Sequence, residues 1–205
     1  MGRAGLNAFA AALLVCEISS LPAQNMSPPE PEHLTLSGTI LTSGHSVAYV
    51  IHQLPVSSFP ALPDAVQAAL NRRGCVIPQT YEAHRPENVV QASLEHSGSS
   101  DWAVLCSANG AVSLMVFFAS APEHPIVLGT TPETERLQAH DPSGVLGFNW
   151  GIDPASPARV HDAQTGLTRR PPTLDHDALA DSVVDHRTVF HFYSRGKWTL
   201  VDMPE

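Results

Sequence analysis

Positive charge is scarce in this sequence of 205 residues: Lys197 is its only lysine, and 11 basic residues face 20 acidic ones, for a net charge of −9. That balance leaves no basic stripe to meet a phosphate backbone or an anionic membrane surface, so nucleic acid is excluded as an expected partner. Long apolar runs are missing too. The stretch from Ala8 to Val15 falls far short of the roughly 20 apolar residues that cross a bilayer, so no transmembrane span is expected in the mature chain. The sequence holds no Gly-x-Ser-x-Gly elbow, phosphate loop, dinucleotide fingerprint, repeat or heptad pattern, and it calls for no cofactor. Cysteine occurs only at Cys16, Cys75 and Cys106.

What the first residues do hold is an address. Arg3 precedes the apolar run, and Ser19-Ser20-Leu21-Pro22-Ala23 closes it, which is the three-part form of a secretory signal peptide. Cleavage after Ala23 makes 1–23 the signal peptide, 24–33 a proline-containing linker and 34–205 a single domain. Lipidation at Cys16 and a buried N-terminal helix are the competing readings of the same residues. Once Cys16 is removed, Cys75 and Cys106 form an even pair in an oxidising compartment, periplasmic or extracellular, and a disulfide between them is expected. The alternative is two buried free thiols.

The chain is organised around Asp101 to Ser107 and Val112 to Phe118, joined through Asn109-Gly110. That dipeptide accepts the two positive φ angles of a type I′ turn, so it predicts a β-hairpin and fixes its register. If Ala108 and Ala111 close the loop, Trp102, Val104, Cys106, Met115 and Phe117 share one face, and Ala103, Leu105, Leu114 and Val116 the other. Neither face is polar. Such a pair has to be covered above and below, at the centre of a sheet.

Around it, Leu34, Leu36 and Ile40, then Val47, Tyr49 and Ile51, alternate about Thr42-Ser43-Gly44 and read as a strand pair. Pro63, Asp64, Val66, Ala69, Leu70 and Gly74 mark a helix with Pro63 in its first position, ending just before Cys75. Cys75 to Gln79 is expected to be extended, Gln91 to Leu94 to pair with Trp102 to Cys106, and Ile126 to Leu128 to form a short strand. Residues 129–145 and 153–172 read as loop, with Arg159-Val160-His161 a strand edge, and Leu174 to Val184 as a short helix capped by Thr173. Val189 to Tyr193 and Trp198 to Val201 form a last hairpin, whose turn at Ser194 to Lys197 suits either two residues or three. The fold class expected is α+β, mainly antiparallel sheet with one or two short helices, linked by the Cys75–Cys106 disulfide.

Leu94-Glu95-His96-Ser97-Gly98-Ser99-Ser100-Asp101 and the apolar strand after it resemble the hairpin of FG-GAP, integrin-type propeller repeats. Where that family uses mainly Asp and Asn for calcium, this chain has Ser93, Glu95 and Ser97, so the resemblance implies a loop and strand without the metal. Gly74-Cys75-Val76-Ile77-Pro78-Gln79, Pro86-Glu87-Asn88-Val89-Val90, Asp101 to Ser107 and Gly196-Lys197-Trp198 resemble a group of uncharacterised exported bacterial proteins. That resemblance implies a shared secreted domain and no activity.

Chemistry is sparsely signalled. His161, Asp162, His176 and Asp177 are the candidate metal ligands, but on a helix His176 meets no second ligand at the paired-histidine spacing. Ser194-Arg195-Gly196-Lys197 spells the Ser-x-x-Lys of penicillin-binding proteins, yet it suits a turn, and the companion motifs are missing. Tyr49, Trp150, Tyr193 and Trp198 are either sheet core or, if exposed, a groove for a glycan or peptide. These residues identify no catalytic group. The expected function is a non-catalytic binding or structural protein of the bacterial cell envelope, the alternative being a metal-assisted hydrolase using the His and Asp residues of 161–186.

Overall fold

A computed structural model describes residues 1–2 and 34–204, so the expected signal peptide, the linker and Cys16 lie outside the described residues. Strand β1 (Leu34–Thr42) turns into β2 (His45–Pro55), and a 3-10 turn leads to helix α1 (Asp64–Arg72). Then come β3 (Val76–Pro78), β4 (Val89–Ala92), β5 (Asp101–Ala108), β6 (Ala111–Phe117) and β7 (Ile126–Pro132). A second 3-10 turn, Glu133–Arg136, precedes β8 (Leu137–Ala139) and β9 (Leu146–Phe148). The chain ends through β10 (Trp150–Ala155), α2 (Pro157–Ala163), β11 (Ala178–Val183), β12 (Arg187–Ser194) and β13 (Lys197–Leu200). Strands β1 to β9 form a nine-stranded sheet and β10 to β13 a four-stranded one. Every pairing is antiparallel except that of β2 with β9.

The central hairpin is β5–β6, and its register runs from Ala108 opposite Ala111 to Trp102 opposite Phe117, as the turn dictated. Asn109 and Gly110 have φ of 53° and 79°, the left-handed pair that a type I′ turn needs. Trp102, Val104, Cys106, Met115 and Phe117 pack with Val66, Ala69 and Leu70 of α1. Ala103, Leu105, Leu114 and Val116 face the second sheet, meeting Trp150, Ile152 and Leu179. A further core joins Val160 of α2 to Ala155, Ala178, Ala180 and Phe190 on the far side of that sheet. The order of layers is therefore α1, large sheet, small sheet, α2. A side chain the size of Leu105, fully buried, contributes about 2 kcal/mol by transfer alone.

Cys75 and Cys106 are bonded across a Cα separation of 5.1 Å. The end of α1 sets this geometry. Gly74 has φ 69°, its N–H donates to Asn71 O, and Cys75 N donates to Leu70 O, which is the Schellman closure of a helix. The closure turns Cys75 under α1 and onto β5. At the other end, Pro63 is extended (ψ 145°) and occupies the N-cap position with no side-chain cap, so the first helical residue is Asp64 and not Pro63.

Three expectations fail in the second half. Residues 153–172 are not all loop, because they contain part of β10 and all of α2, and Arg159-Val160-His161 is helical. Ser156 caps α2 by accepting from Arg159 N at 3.3 Å, with Pro157 at the first position. Leu174 to Val184 is not a helix: Ala178–Val183 is β11, hydrogen-bonded to β10 on one side and β12 on the other. Its alanines suit a helix locally, but Ala178 and Ala180 are the small side chains that let α2 approach the sheet, and ladder bonds on both edges outweigh propensity. Strand β7 also runs on to Pro132, and β8 lies within the segment expected to be loop. The final hairpin turns through two residues, Arg195 and Gly196, with φ 52° and 80°.

Candidate functional site

A cleft of about 570 Å³ opens between the segment Thr80 to Val90 and the strands β10 and β11. Its polar lining includes Thr80, Glu82, Arg85, Glu87, Asp153 and Ser182. The wall formed by residues 79–88 is an irregular loop with both ends tied. Gln79 Nε2 donates to Glu87 O at 3.2 Å, and Glu87 N donates back to Gln79 Oε1 at 2.8 Å. Thr80 Oγ1 donates to Glu87 Oε2 at 2.8 Å inside the same loop.

Asn88 then locks the loop to both sheets. It is buried with φ 66°, a conformation asparagine tolerates better than most residues. Its Nδ2 donates to Pro78 O at 2.7 Å and to Trp150 O at 3.2 Å, while its Oδ1 accepts from Ile152 N at 3.1 Å. The side-chain amide thus pairs with β10 as a neighbouring strand would. Its own carbonyl accepts from Leu105 N, on the central strand. An irregular segment held at this many points keeps its shape without a ligand, as preformed binding sites do.

The hydroxyls of the cleft are engaged with other oxygens: Ser182 Oγ lies 2.8 Å from Thr188 Oγ1, and Thr80 bonds Glu87. Among the described residues, neither hydroxyl is hydrogen-bonded to an imidazole. Arg85 is exposed and forms no salt bridge among the described residues. Tyr81, between Thr80 and Glu82 in sequence, has its hydroxyl pKa pushed up to about 12, first by desolvation, then by its bond to Asp185 and by the charges of Asp185 and Glu82. Its ring stacks on His140 at 4.6 Å, above Gly147, where a Cβ would lie 2.6 Å from Tyr81 Cβ.

The four candidate ligands do not come together. His161 lies on α2, and Asp162 is exposed, 4.0 Å from Arg170. His176 is buried, with Asp175 Oδ1 2.7 Å from Nδ1 and Tyr193 O 2.9 Å from Nε2, so no ring nitrogen is free for a metal. Asp177 Oδ2 accepts from Ser93 N at 3.0 Å. Among the described residues, no group of three or more His, Cys, Asp or Glu is placed to hold a metal ion. Asp101, the acidic residue of the loop resembling a propeller hairpin, is fully buried, and its carboxylate accepts from the N–H groups of Leu94, Glu95 and Ala119 and from the Ser99 hydroxyl. It shapes the Leu94–Asp101 loop with every donor internal to the chain.

The four aromatic candidates pack against neighbouring side chains, one buried and three half-buried. Trp150 is buried, with Arg136 over its ring at 4.0 Å and its Nε1 donating to Asp181 at 2.6 Å. Asp181 is also 3.1 Å from His191 Nε2. Tyr193 and Trp198 pack on each other and on Phe118, and Tyr49 lies across Gly38.

Sequence reading passed over the residues that build the cleft. Asn88 sits after Pro-Glu in a stretch without periodicity, and nothing local shows that its amide reaches a strand 62 residues away. The positive φ of an asparagine between loop and strand is the one feature a sequence hints at. Fold and site define a disulfide-braced α+β domain of two packed sheets with a preformed polar cleft. No family model, curated protein or solved structure matches the chain.

Proposed function

We propose that the chain is an exported, non-catalytic binding protein of the bacterial cell envelope that takes a polar ligand, a glycan or peptide segment, in the cleft beside Asn88. The observation that carries this reading is the rigid wall: a ten-residue loop tied at both ends and to both sheets, enclosing about 570 Å³ lined by charged and hydroxyl groups. Tying irregular backbone this firmly stabilises a cavity shape, and ligand sites are commonly preformed concave surfaces with a few placed polar groups. Export is supported by the N-terminal charge, apolar run and small-residue site, together with the disulfide, which persists in oxidising compartments. No helix among the described residues is long and apolar enough to cross a membrane.

The test has two parts. Fractionation and N-terminal sequencing of the expressed protein should find a chain beginning at Gln24 outside the cytoplasm; a chain retained there with Met1 intact would overturn export. Calorimetric titration of that chain with soluble cell-wall oligosaccharides and short peptides should detect binding that Arg85→Ala or Asp153→Ala weakens by about tenfold, roughly 1.4 kcal/mol. Binding indifferent to both substitutions, or turnover of the ligand, would remove the cleft reading.

A further inference from the structure

Among the described residues, strand β1 is an outer edge of the large sheet. Gln53 of β2 has Leu34 of β1 opposite it on one side and Pro78 of β3 on the other, so β3 and β1 occupy opposite edges of β2. Among the described residues β1 pairs with β2 alone. Folded proteins blunt long edge strands with charges, proline or bulges, because a free row of N–H and C=O groups is a template for another strand. This edge carries none of those devices. Leu34-Thr35-Leu36-Ser37-Gly38-Thr39-Ile40-Leu41-Thr42 has no charged residue and no proline in a protein of net charge −9, and its pairing with β2 runs nine residues without a register shift.

The phase of the edge follows from its turn. Ser43 and Gly44 have φ of 51° and 80°, so Thr42 and His45 close a two-residue type I′ hairpin and form a hydrogen-bonded pair. Bonded and non-bonded pairs alternate along an antiparallel ladder, so even-numbered residues of β1 bond to β2. The N–H and C=O groups of Thr35, Ser37, Thr39 and Leu41 point away from the sheet. A second copy of β1 laid antiparallel about a twofold axis at Gly38 sets Ser37 against Thr39 and Thr35 against Leu41. Every outward group then meets an outward group, in roughly eight bonds. The side chains agree with that register. Leu36, half-buried in its own subunit, comes opposite Ile40 of the other copy, twice over, and Leu41, 78% exposed, comes beside Thr35. Gly38, at the axis, lies under the Tyr49 ring of its own subunit, where a Cβ would be 2.7 Å from the hydroxyl.

We infer that β1 is a dimerisation edge: two copies of this chain join antiparallel through residues 35–41, centred on Gly38, and extend the large sheet across the twofold axis. A twofold contact is self-complementary by symmetry, and this strand is close to a palindrome in polarity and hydrogen-bond phase.

The experiment is light scattering and sedimentation of the chain from Gln24 over a wide concentration range, with amide exchange read strand by strand. Wild type should dimerise, and Thr35, Ser37, Thr39 and Leu41 amides should be protected at high concentration and exposed on dilution. Thr39→Pro removes an outward N–H and leaves the β2 ladder intact; Thr39→Lys sets like charges near the axis. Both should be monomeric with the wild-type circular dichroism and an intact disulfide. If Thr39→Pro fails to fold, Thr39→Lys and the exchange data decide. A wild type that is monomeric throughout, a dimer that survives Thr39→Lys, or edge protection that does not change with concentration (as when the chain's own N-terminal segment covers β1) would each overturn the inference.

Discussion

The hairpins β1–β2 and β5–β6 are built on the same turn and live in different surroundings. Ser43-Gly44 and Asn109-Gly110 have φ pairs of 51° and 80°, and 53° and 79°, and each closes an uninterrupted antiparallel ladder. In β5–β6 both faces are covered, by α1 and by the second sheet. In β1–β2 most residues near the turn are exposed; only towards the far end do Ile51, with half-buried Leu36 and Tyr49, reach the core between the sheets, and Leu54 the core under α1. Turn chemistry is thus a local property that sets twist and register, whereas the energy that a strand contributes depends on what lies over its faces.

Substitutions on matched strands should separate the two terms. Leu105→Ala removes a fully buried side chain between the sheets and should cost about 4 kcal/mol in a denaturant titration, while Leu41→Ala, on a side chain 78% exposed, should stay within about 0.5 kcal/mol for the monomer. Equal effects would mean that the hairpins are not distinguished by burial. Next in size is the disulfide. It spans 31 residues and ties α1 to β5, so Cys75→Ala with Cys106→Ala should lose about 3 to 4 kcal/mol on the chain-entropy estimate, an effect that reducing agent should reproduce in wild type and not in the variant. A loss below about 1 kcal/mol would show that packing alone holds the helix to the hairpin. Smallest is the turn itself: Gly110→Ala and Gly44→Ala both place a Cβ at positive φ with open space around it, and each should cost about 1 kcal/mol despite the contrast in burial. A much larger cost at Gly110 would mean that the buried hairpin amplifies turn strain.

The same separation explains what could be foreseen. The central hairpin, its register, its two faces and the disulfide follow from Asn109-Gly110, two apolar runs and a pair of cysteines, all signals carried by neighbouring residues. Residues 174–184 depart from their local signals for the opposite reason. Ala178-Leu179-Ala180-Asp181 leans towards helix locally, and its strand is imposed by β10 and β12 on either side and by α2 above. Helix α2 itself was signalled by Ser156-Pro157, an N-cap and first-turn pair, but only Val160 of its seven residues is buried, which leaves no apolar stripe to read. The cleft was illegible because its parts are distant in sequence. Gln79, Glu87 and Asn88 are unremarkable as a string, and their roles exist only once Trp150 and Ile152 are beside them.

By itself, then, the sequence determined where the central chain turns, which residues of β5 and β6 share a face and which cysteines can meet, because each depends on torsional preference or on the two-residue period of a strand. Only the tertiary structure decided that 178–183 is a strand, that Trp150 is buried under Arg136, that the candidate ligands His161, Asp162, His176 and Asp177 stay apart, and that Asn88 fastens a cleft. Those outcomes rest on long-range packing and hydrogen bonds, which no window of neighbouring residues contains.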